Sequence, residues 1–483
     1  MSTQATASPH RSGNTSNEPE TTSRLRETPV SWLLCFTIVL VIMNTMMFNL
    51  ALPKISVQFG LSPSTASWIV TGYSIIFAIS SITYSRLSDF VPIRRLYLIA
   101  LISLGGASLL GLFTNSFGTL LITRLIQASG AGAIPSLGIV LVTRYIPLAR
   151  RGRAMSLILS AASLGLGLGP VAGGSIVQYL GWHFLLVITG ITLLLIPIFL
   201  ILIPKEKAES GSFDFIGAVL LGIGTTGLLL FLTSKSIYAL LAGVIALALF
   251  AWRIRRASQP FVLPSLFADR PYMALSAIGV TSYMVSFGFL FLAPQMLARV
   301  FGLAPLTSGL LLFPGALIAM LVSNRVGRII DRYGNTALLR YVPWLLLAST
   351  VLLALTAVYS YYWIAVLYIL VSVSFTTLSS AVSNELSRQL AKDRIGSGMG
   401  LFQLLQFFSG AFAVALSGSA LVWQKSLPLE RAFDNLIWGM AVIAFLTIGS
   451  SLIYMSYSRK RKSAASINSE VSGSATSAAI ATD

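Results

Sequence analysis

The chain has 483 residues, 55% of them hydrophobic and 10% charged, with a formal net charge of +18 at pH 7. Soluble domains carry about 25% charged residues, so this composition excludes an ordinary soluble protein and points to one built into a membrane. Two histidines, a single cysteine (Cys35) and 15 acids leave little for a hydrolytic, metal-binding or phosphoryl-transfer centre. We therefore expect no enzyme activity, no cofactor and no metal. The basic residues do not gather on a soluble domain, which argues against nucleic acid as a partner.

Residues 1–30 are rich in Ser and Thr and lack an apolar core, so neither a signal peptide nor a span is expected there, only a disordered tail. About 20 apolar residues cross a 30 Å hydrocarbon layer, and windows of that kind then recur fourteen times: 32–53, 65–84, 95–113, 116–141, 154–179, 183–203, 214–233, 237–253, 272–296, 306–326, 336–357, 362–384, 397–423 and 435–457. The expectation is an all-α integral membrane protein with 14 transmembrane helices, arranged as two six-helix pseudo-repeats plus two inserted central helices. The first bundle covers 31–204, the inserted pair 205–256, the second bundle 257–457, and a disordered tail fills 458–483.

An even number of spans puts both tails on one side. Of the 33 Lys and Arg residues, 27 fall on the tail side and Lys54, Lys235, Arg299, Lys425 and Arg431 on the other, while Arg124 lies inside a span. By the positive-inside rule both termini are cytoplasmic and the protein is a multi-pass plasma-membrane protein in contact with lipid. The terminal run Arg459 to Lys462 serves the same orientation.

Four patterns carry chemistry. Ser85-Arg-Leu-Ser-Asp89, followed by Arg94 and Arg95 after the second span, is echoed by Gly327-Arg-Ile-Ile-Asp331-Arg332 after the tenth; an acid facing cations across each turn is a latch that can release when helices rock. Arg124 and Gln127 share one face of the fourth span, and a charge inside a bundle marks function by default. Gly165, Gly169, Pro170, Gly173 and Gly174 gather small residues and a proline at one level of the fifth span, where helices can approach closely and bend. Asn44, Thr45, Asn49, Gln127, Tyr283, Gln295, Gln403 and Gln406 are candidates to line a substrate cavity, although hydrogen bonds between helices explain each equally well.

Every acid falls in a tail, a loop or near a helix end. A proton-driven carrier must protonate one group in one state and release it in another, so the coupling candidates are Asp89 first, then Asp331 and Glu385, in concert with Arg124. His183 is a weaker candidate, at the end of the sixth span.

These motifs, in this order, resemble the major facilitator superfamily, and within it the fourteen-helix drug:proton antiporter branch with its Gram-positive tetracycline and multidrug exporters. The likeness extends to Asn49-Leu-Ala-Leu-Pro53, to Trp68 with Thr71 and Tyr73, to Gly181-Trp182-His183, to Phe213-Asp214-Phe-Ile-Gly217, to Pro135-Ser136-Leu137 and to Gly396-Ser-Gly-Met399. It implies a monomeric antiporter that uses protons and alternating access to expel small amphiphilic drugs, with antibiotic resistance as the outcome. Export of an endogenous metabolite or siderophore would use the same fold and motifs, and a membrane sensor is the reading from another class. Ser85 and Pro92 replace residues that the family prefers as glycine. Asn44 and Thr45 stand where relatives commonly carry an acid, and Leu166 stands where the tetracycline exporters carry a glutamate. With Arg124 as the buried charge, neutral, zwitterionic or anionic amphiphiles are expected to suit the cavity better than dications.

Overall fold

A chain crossing hydrocarbon has no water for its backbone N–H and C=O groups, and helices satisfy them internally. In the computed structural model, which describes residues 27–146, 148–204, 206, 213–257, 260–390 and 395–480, fourteen helices are long and apolar enough to cross a membrane. They are α1 (Glu27–Gln58), α2 (Pro63–Leu87), α3 (Ile93–Gly111), α4 (Phe117–Tyr145), α5 (Leu148–Tyr179), α6 (Phe184–Leu202), α7 (Phe215–Ser234), α8 (Ile237–Arg256), α9 (Arg270–Arg299), α10 (Pro305–Tyr333), α11 (Asn335–Thr356), α12 (Tyr361–Gln389), α13 (Ile395–Trp423) and α14 (Leu429–Ile480). Successive helices alternate in direction, so α1 begins and α14 ends on the terminal face, and the other face is the distal one.

Local chemistry starts the helices. Ser62, Ser116, Ser236 and Asp269 each accept a hydrogen bond from a backbone N–H of the first turn, while Pro63 and Pro305 open α2 and α10 where a missing N–H costs nothing. Lys235 turns the chain between α7 and α8 with φ of 54°, in the left-handed region. The middle of α6 tightens to a 3-10 turn over Ile191–Leu195, because Pro197 cannot donate to the carbonyl one turn earlier.

The outward faces are apolar: Phe113, Leu110 and Ile201 are largely exposed, as lipid-facing side chains must be. α1 packs on α5, α2 on α4 and α3 on α4 in the first half; α9, α11, α12 and α14 pack together in the second. The halves meet along two helix pairs, α2 with α13 and α5 with α10. The inserted α7 and α8 form a hairpin whose α7 lies against α2 and α13. Asp214 closes that hairpin. Its carboxylate accepts from the Gly217 N–H at 3.0 Å, the Phe261 N–H at 3.3 Å and Arg253 Nε at 3.0 Å.

α14 remains helical to Ile480, where composition suggested a disordered tail from 458; hydropathy marks where a helix leaves the apolar layer rather than where it ends. The side chains of Asp331 and Arg332 and residues 1–26 lie outside the described residues.

Candidate functional site

At mid-depth of the first half, Arg124 is 0% exposed. Its guanidinium carbon lies 3.9 Å from the centre of the Phe48 ring and 4.0 Å from that of Tyr73. Nη1 donates to Gln127 Oε1 at 3.0 Å and to Asn44 Oδ1 at 3.4 Å. Gln127 Nε2 in turn donates to Ser108 Oγ at 2.6 Å, and the Tyr73 hydroxyl accepts from Asn44 Nδ2 and Thr45 Oγ1, both at 3.5 Å. Four residues singled out from the sequence, Asn44, Thr45, Arg124 and Gln127, thus form one cluster across α1 and α4, with α2 and α3 adding Tyr73 and Ser108.

No carboxylate joins that cluster among the described residues. Burying an ion costs several kcal/mol unless paired; two aromatic faces offset part of it, at roughly 0.5–2 kcal/mol each, and two amide oxygens offset more. Arg124 Nε and Nη2 and Asn49 Oδ1 are buried with no hydrogen-bond partner. The cluster is therefore an electropositive centre in which two guanidinium donors, Nε and Nη2, are left without a partner.

In the second half the corresponding depth is mainly aromatic and apolar, its polar groups there being neutral ones such as Ser286, Ser372 and Gln406. A run of rings links the halves: Tyr73 to Phe77 at 6.1 Å, Phe77 to Phe407 at 4.7 Å, Phe407 to Tyr283 at 5.8 Å, and Tyr283 stacked on Phe287 at 4.1 Å. A small cavity of about 40 Å³ is lined by Phe287, Leu290, Tyr368 and Phe375 from the second half and by Leu166 from α5. Leu166 therefore presents a methyl-bearing side chain to the central seam. Gln406 is buried with Nε2 unpartnered, while Gln403 is only half-buried; neither joins the Arg124 cluster. Gln295 donates to the Phe291 carbonyl of its own helix at 3.0 Å, so it serves α9 rather than a cavity.

The glycines of α5 divide between two neighbours. A methyl carbon on Gly165, Gly169 or Gly173 would stand 2.9, 2.5 or 2.8 Å from atoms of α1. One on Gly174 would stand 2.5 Å from the Pro305 carbonyl oxygen of α10, and one on Gly309 would meet the Pro170 carbonyl oxygen at 2.3 Å. So the distal ends of the two halves meet backbone to backbone. Along the other pair, Ser64 Oγ lies 3.4 Å from Ser419 Oγ and Thr71 Oγ1 donates to the Ala411 carbonyl at 3.3 Å. At the terminal face, Arg86 Nη2 donates to Ser397 Oγ at 3.1 Å. α5 itself is unbroken through Pro170.

The expected latch between Asp89 and Arg94 or Arg95 is not what the structure contains. Asp89 lies 3.8 Å from Arg144 at the end of α4, with side chains 63% and 35% exposed, and neither Arg94 nor Arg95 has an ion pair among the described residues. The turn at Pro92 starts α3 directly, and Arg144 also donates to the Ser88 carbonyl at 3.0 Å. Asp89 does not reach Arg124. The stronger centre is Glu206, which accepts from the Ile93 N–H at 2.7 Å, from Arg144 at 3.3 Å and from the Tyr145 hydroxyl. It thereby ties the start of α3 and the end of α4 to the chain leaving α6. Burial and the hydrogen bond to Glu206 raise the Tyr145 pKa above the ordinary tyrosine value. In the second half Glu385 on α12 plays the same part: it accepts from Asn335 at 2.7 Å, Tyr454 at 2.7 Å and Gln389 at 3.2 Å. Its donors occupy both oxygens, and no basic side chain pairs with it among the described residues.

Arg144, Tyr145 and Glu206 were missed in the sequence because each looked like one more charge or ring at a helix end. The signal that would have found them is the recurrence of a Glu and a Tyr at the terminal-face ends of the fourth and sixth spans of each repeat, with their positions exchanged and Glu206 just beyond the sixth span. His183, at the distal face, stacks on Trp182 with ring centres 3.6 Å apart.

Comparison with known proteins bears on this arrangement. Residues 34–414 match the Major Facilitator Superfamily. The chain is similar to the riboflavin transporter RibZ of Clostridioides difficile strain 630, at 25% identity over 439 residues, covering 88% of this chain and 96% of that one. It is also similar to the provisionally named multidrug resistance protein MdtD of Escherichia coli O6:H1, at 26% identity over 409 residues, covering 81% and 85%. Among solved structures, a transporter of the POT family in complex with 5-aminolevulinic acid superposes with a TM-score of 0.67 at 15% identity, covering 90% of this chain and 96% of that one. A bacterial homologue of the human lysosomal transporter Spinster, inward-facing and unoccupied, gives 0.63 at 13% identity, covering 90% and 97%. The two structural likenesses concern the fold.

Proposed function

The chain belongs to the Major Facilitator Superfamily, and we propose that within it this protein exports small amphiphilic molecules from the cytoplasm by alternating access driven by the proton gradient. The terminal face is then cytoplasmic, in keeping with the distribution of Lys and Arg.

The observation that carries the reading is the seam between the halves. At the distal end it is closed by backbone on backbone, Gly174 on Pro305 and Gly309 on Pro170, with the Leu306 N–H donating to Gln178 Oε1 at 3.2 Å and Ser64 Oγ 3.4 Å from Ser419 Oγ; at the terminal end the described side chains offer one hydrogen bond between halves, Arg86 to Ser397. Neither closure involves an ion pair or a large interlocked side chain, so each can part as two rigid halves rock. Between the two closures the first half holds the buried Arg124 cluster, and a largely apolar cavity that includes Leu166 opens at the seam, a charge and an oily surface of the kind a small-molecule site combines. Proton coupling is assigned to Asp89, whose exposed and loose pairing with Arg144 is free to exchange, rather than to Glu385, whose oxygens are already occupied by three donors.

Everted membrane vesicles containing the protein, energised and loaded with a pH-sensitive dye, test this. Tetracycline, fluoroquinolones, ethidium and matched amphiphilic acids are added singly. Substrate-dependent proton release that disappears in Asp89→Asn is the expected result. Proton release that survives Asp89→Asn would remove Asp89 from coupling, and silence across the panel with correctly inserted protein would overturn drug export. The likeness to the riboflavin transporter RibZ favours transport of a metabolite as the second reading in that event.

A further inference from the structure

Five basic residues lie on the distal side, and two of them, from different halves, line the same cavity. Lys54 near the end of α1 and Arg299 at the end of α9 face a space of about 600 Å³ together with Gln58, Trp182 and His183. That volume falls within the range of roughly 300–1,000 Å³ typical of small-molecule sites. No carboxylate lines it among the described residues.

Its hydrogen-bonding groups are donors seeking an acceptor. Lys54 Nζ uses one donor on the Val177 carbonyl at 2.7 Å, which caps the end of α5 and holds the ammonium in place with two donors to spare. Arg299 makes no hydrogen bond or ion pair among the described residues. Trp182 Nε1 donates to Gln58 Oε1 at 2.6 Å, which fixes that amide and leaves its NH₂ to donate. The same Trp182 is braced edge-on by Phe59, with ring centres 6.0 Å apart, and gives the cavity a rigid apolar wall. A smaller cavity of about 150 Å³ shares Pro53, Lys54 and Ala298 with it and reaches Pro305 and Ser308, beside the distal closure where Gly174 meets Pro305.

We propose that this distal cavity binds the acidic group of an amphiphilic organic anion, with Lys54 and Arg299 holding the carboxylate and Trp182 its apolar body. Two cations contributed by opposite halves converge on one anion beside the gate, so the bound group bridges the parts that separate when the gate opens. Arg124 offers the same sign of charge at mid-depth, with free Nε and Nη2 donors. An anionic cargo thus meets a cation at both levels. The inference deepens the export reading and rests on it for the direction of passage, although binding itself does not require transport.

The test uses purified full-length protein in detergent and two probes of matched body, pyrenebutyrate and a pyrenebutyl-trimethylammonium salt, with binding read by fluorescence. Pyrenebutyrate is expected to bind tightly, and Lys54→Gln/Arg299→Gln to weaken it at least tenfold while leaving the cationic probe unaffected or bound more tightly. Arg299→Lys, which keeps the charge, should recover most of the affinity, and each variant is checked for a monodisperse elution profile and an unshifted melting temperature. Equal binding of both probes, or an unchanged pyrenebutyrate affinity in the double variant, overturns the proposal. Proteoliposome transport separates the two readings: anion-selective binding without movement of any substrate removes the export reading and keeps the site, whereas export without anion-selective binding does the reverse.

Discussion

The two halves repeat one scaffold and differ in chemistry. At the terminal face each is clasped by a Glu and a Tyr joining its third, fourth and sixth helices, yet the first half places the Tyr on the fourth helix (Tyr145) and takes its acid from beyond the sixth (Glu206), while the second does the opposite with Glu385 and Tyr454. The first clasp is charged, through Arg144; the second is built from amide and hydroxyl donors. At mid-depth the contrast is sharper, since the first half buries Arg124 and the second presents Tyr283, Phe287 and Phe407. Rigid-body rocking needs two stiff halves, and either clasp supplies stiffness. A buried charge costs several kcal/mol of desolvation, and duplicating it in the second half would double that cost.

Removing the charge should break that division of labour most completely. Arg124→Gln is expected to reduce transport at least 100-fold in proteoliposomes, and Arg124→Lys about tenfold, because an ammonium keeps the charge but cannot reproduce the planar fork reaching Gln127 and Asn44. Near-normal transport by Arg124→Gln would show that the asymmetry at mid-depth is structural.

A second prediction concerns the seam. Gly174→Val places a branched side chain where even one carbon stands 2.5 Å from the Pro305 carbonyl. Transport should fall about tenfold, the closed distal gate being strained by roughly the 1–3 kcal/mol of overpacking. A single cysteine introduced nearby at Leu306 should become more reactive to an impermeant thiol reagent; unchanged reactivity would mean the gate closes elsewhere.

The smallest effects should come from the clasps, and they should be unequal. Glu206→Gln loses the pairing with Arg144 and weakens two further bonds, for about 2 kcal/mol, whereas Tyr454→Phe loses one hydroxyl bond to the Glu385 carboxylate, for about 1.5 kcal/mol. Thermal melts of the two variants measure the difference. Tyr145 adds a pH signature. Its pKa is raised by burial and by Glu206, so its contribution is complete below about pH 10, the unfolded tyrosine value, and is lost as pH rises through the higher folded value. In Tyr145→Phe that alkaline loss should disappear.

Much of this architecture is legible in the sequence. Span number follows from hydropathy because each helix must satisfy its own backbone in lipid, a property of about 20 consecutive residues. Asn44, Thr45, Arg124 and Gln127 were legible as candidates since polar groups within apolar runs have few other uses. Their convergence was not, nor was the partner of Asp89, because a charge in a loop can reach any neighbouring helix end and the nearest in sequence is not the nearest in space. The five motif residues of α5 were legible as small, but not that Gly165, Gly169 and Gly173 serve α1 while Pro170 and Gly174 serve α10.

Composition and hydropathy period, taken alone, determined that this is a fourteen-span membrane protein with one cation and no acid deep within its apolar segments. Those are local properties, summed along the chain. Only the tertiary structure decided that Arg144 rather than Arg94 or Arg95 answers Asp89, that Glu206 ties the first half together, and that Lys54 and Arg299 face a common space. Such pairings depend on which helix faces which, and packing between segments 55 or more residues apart in the chain sets that.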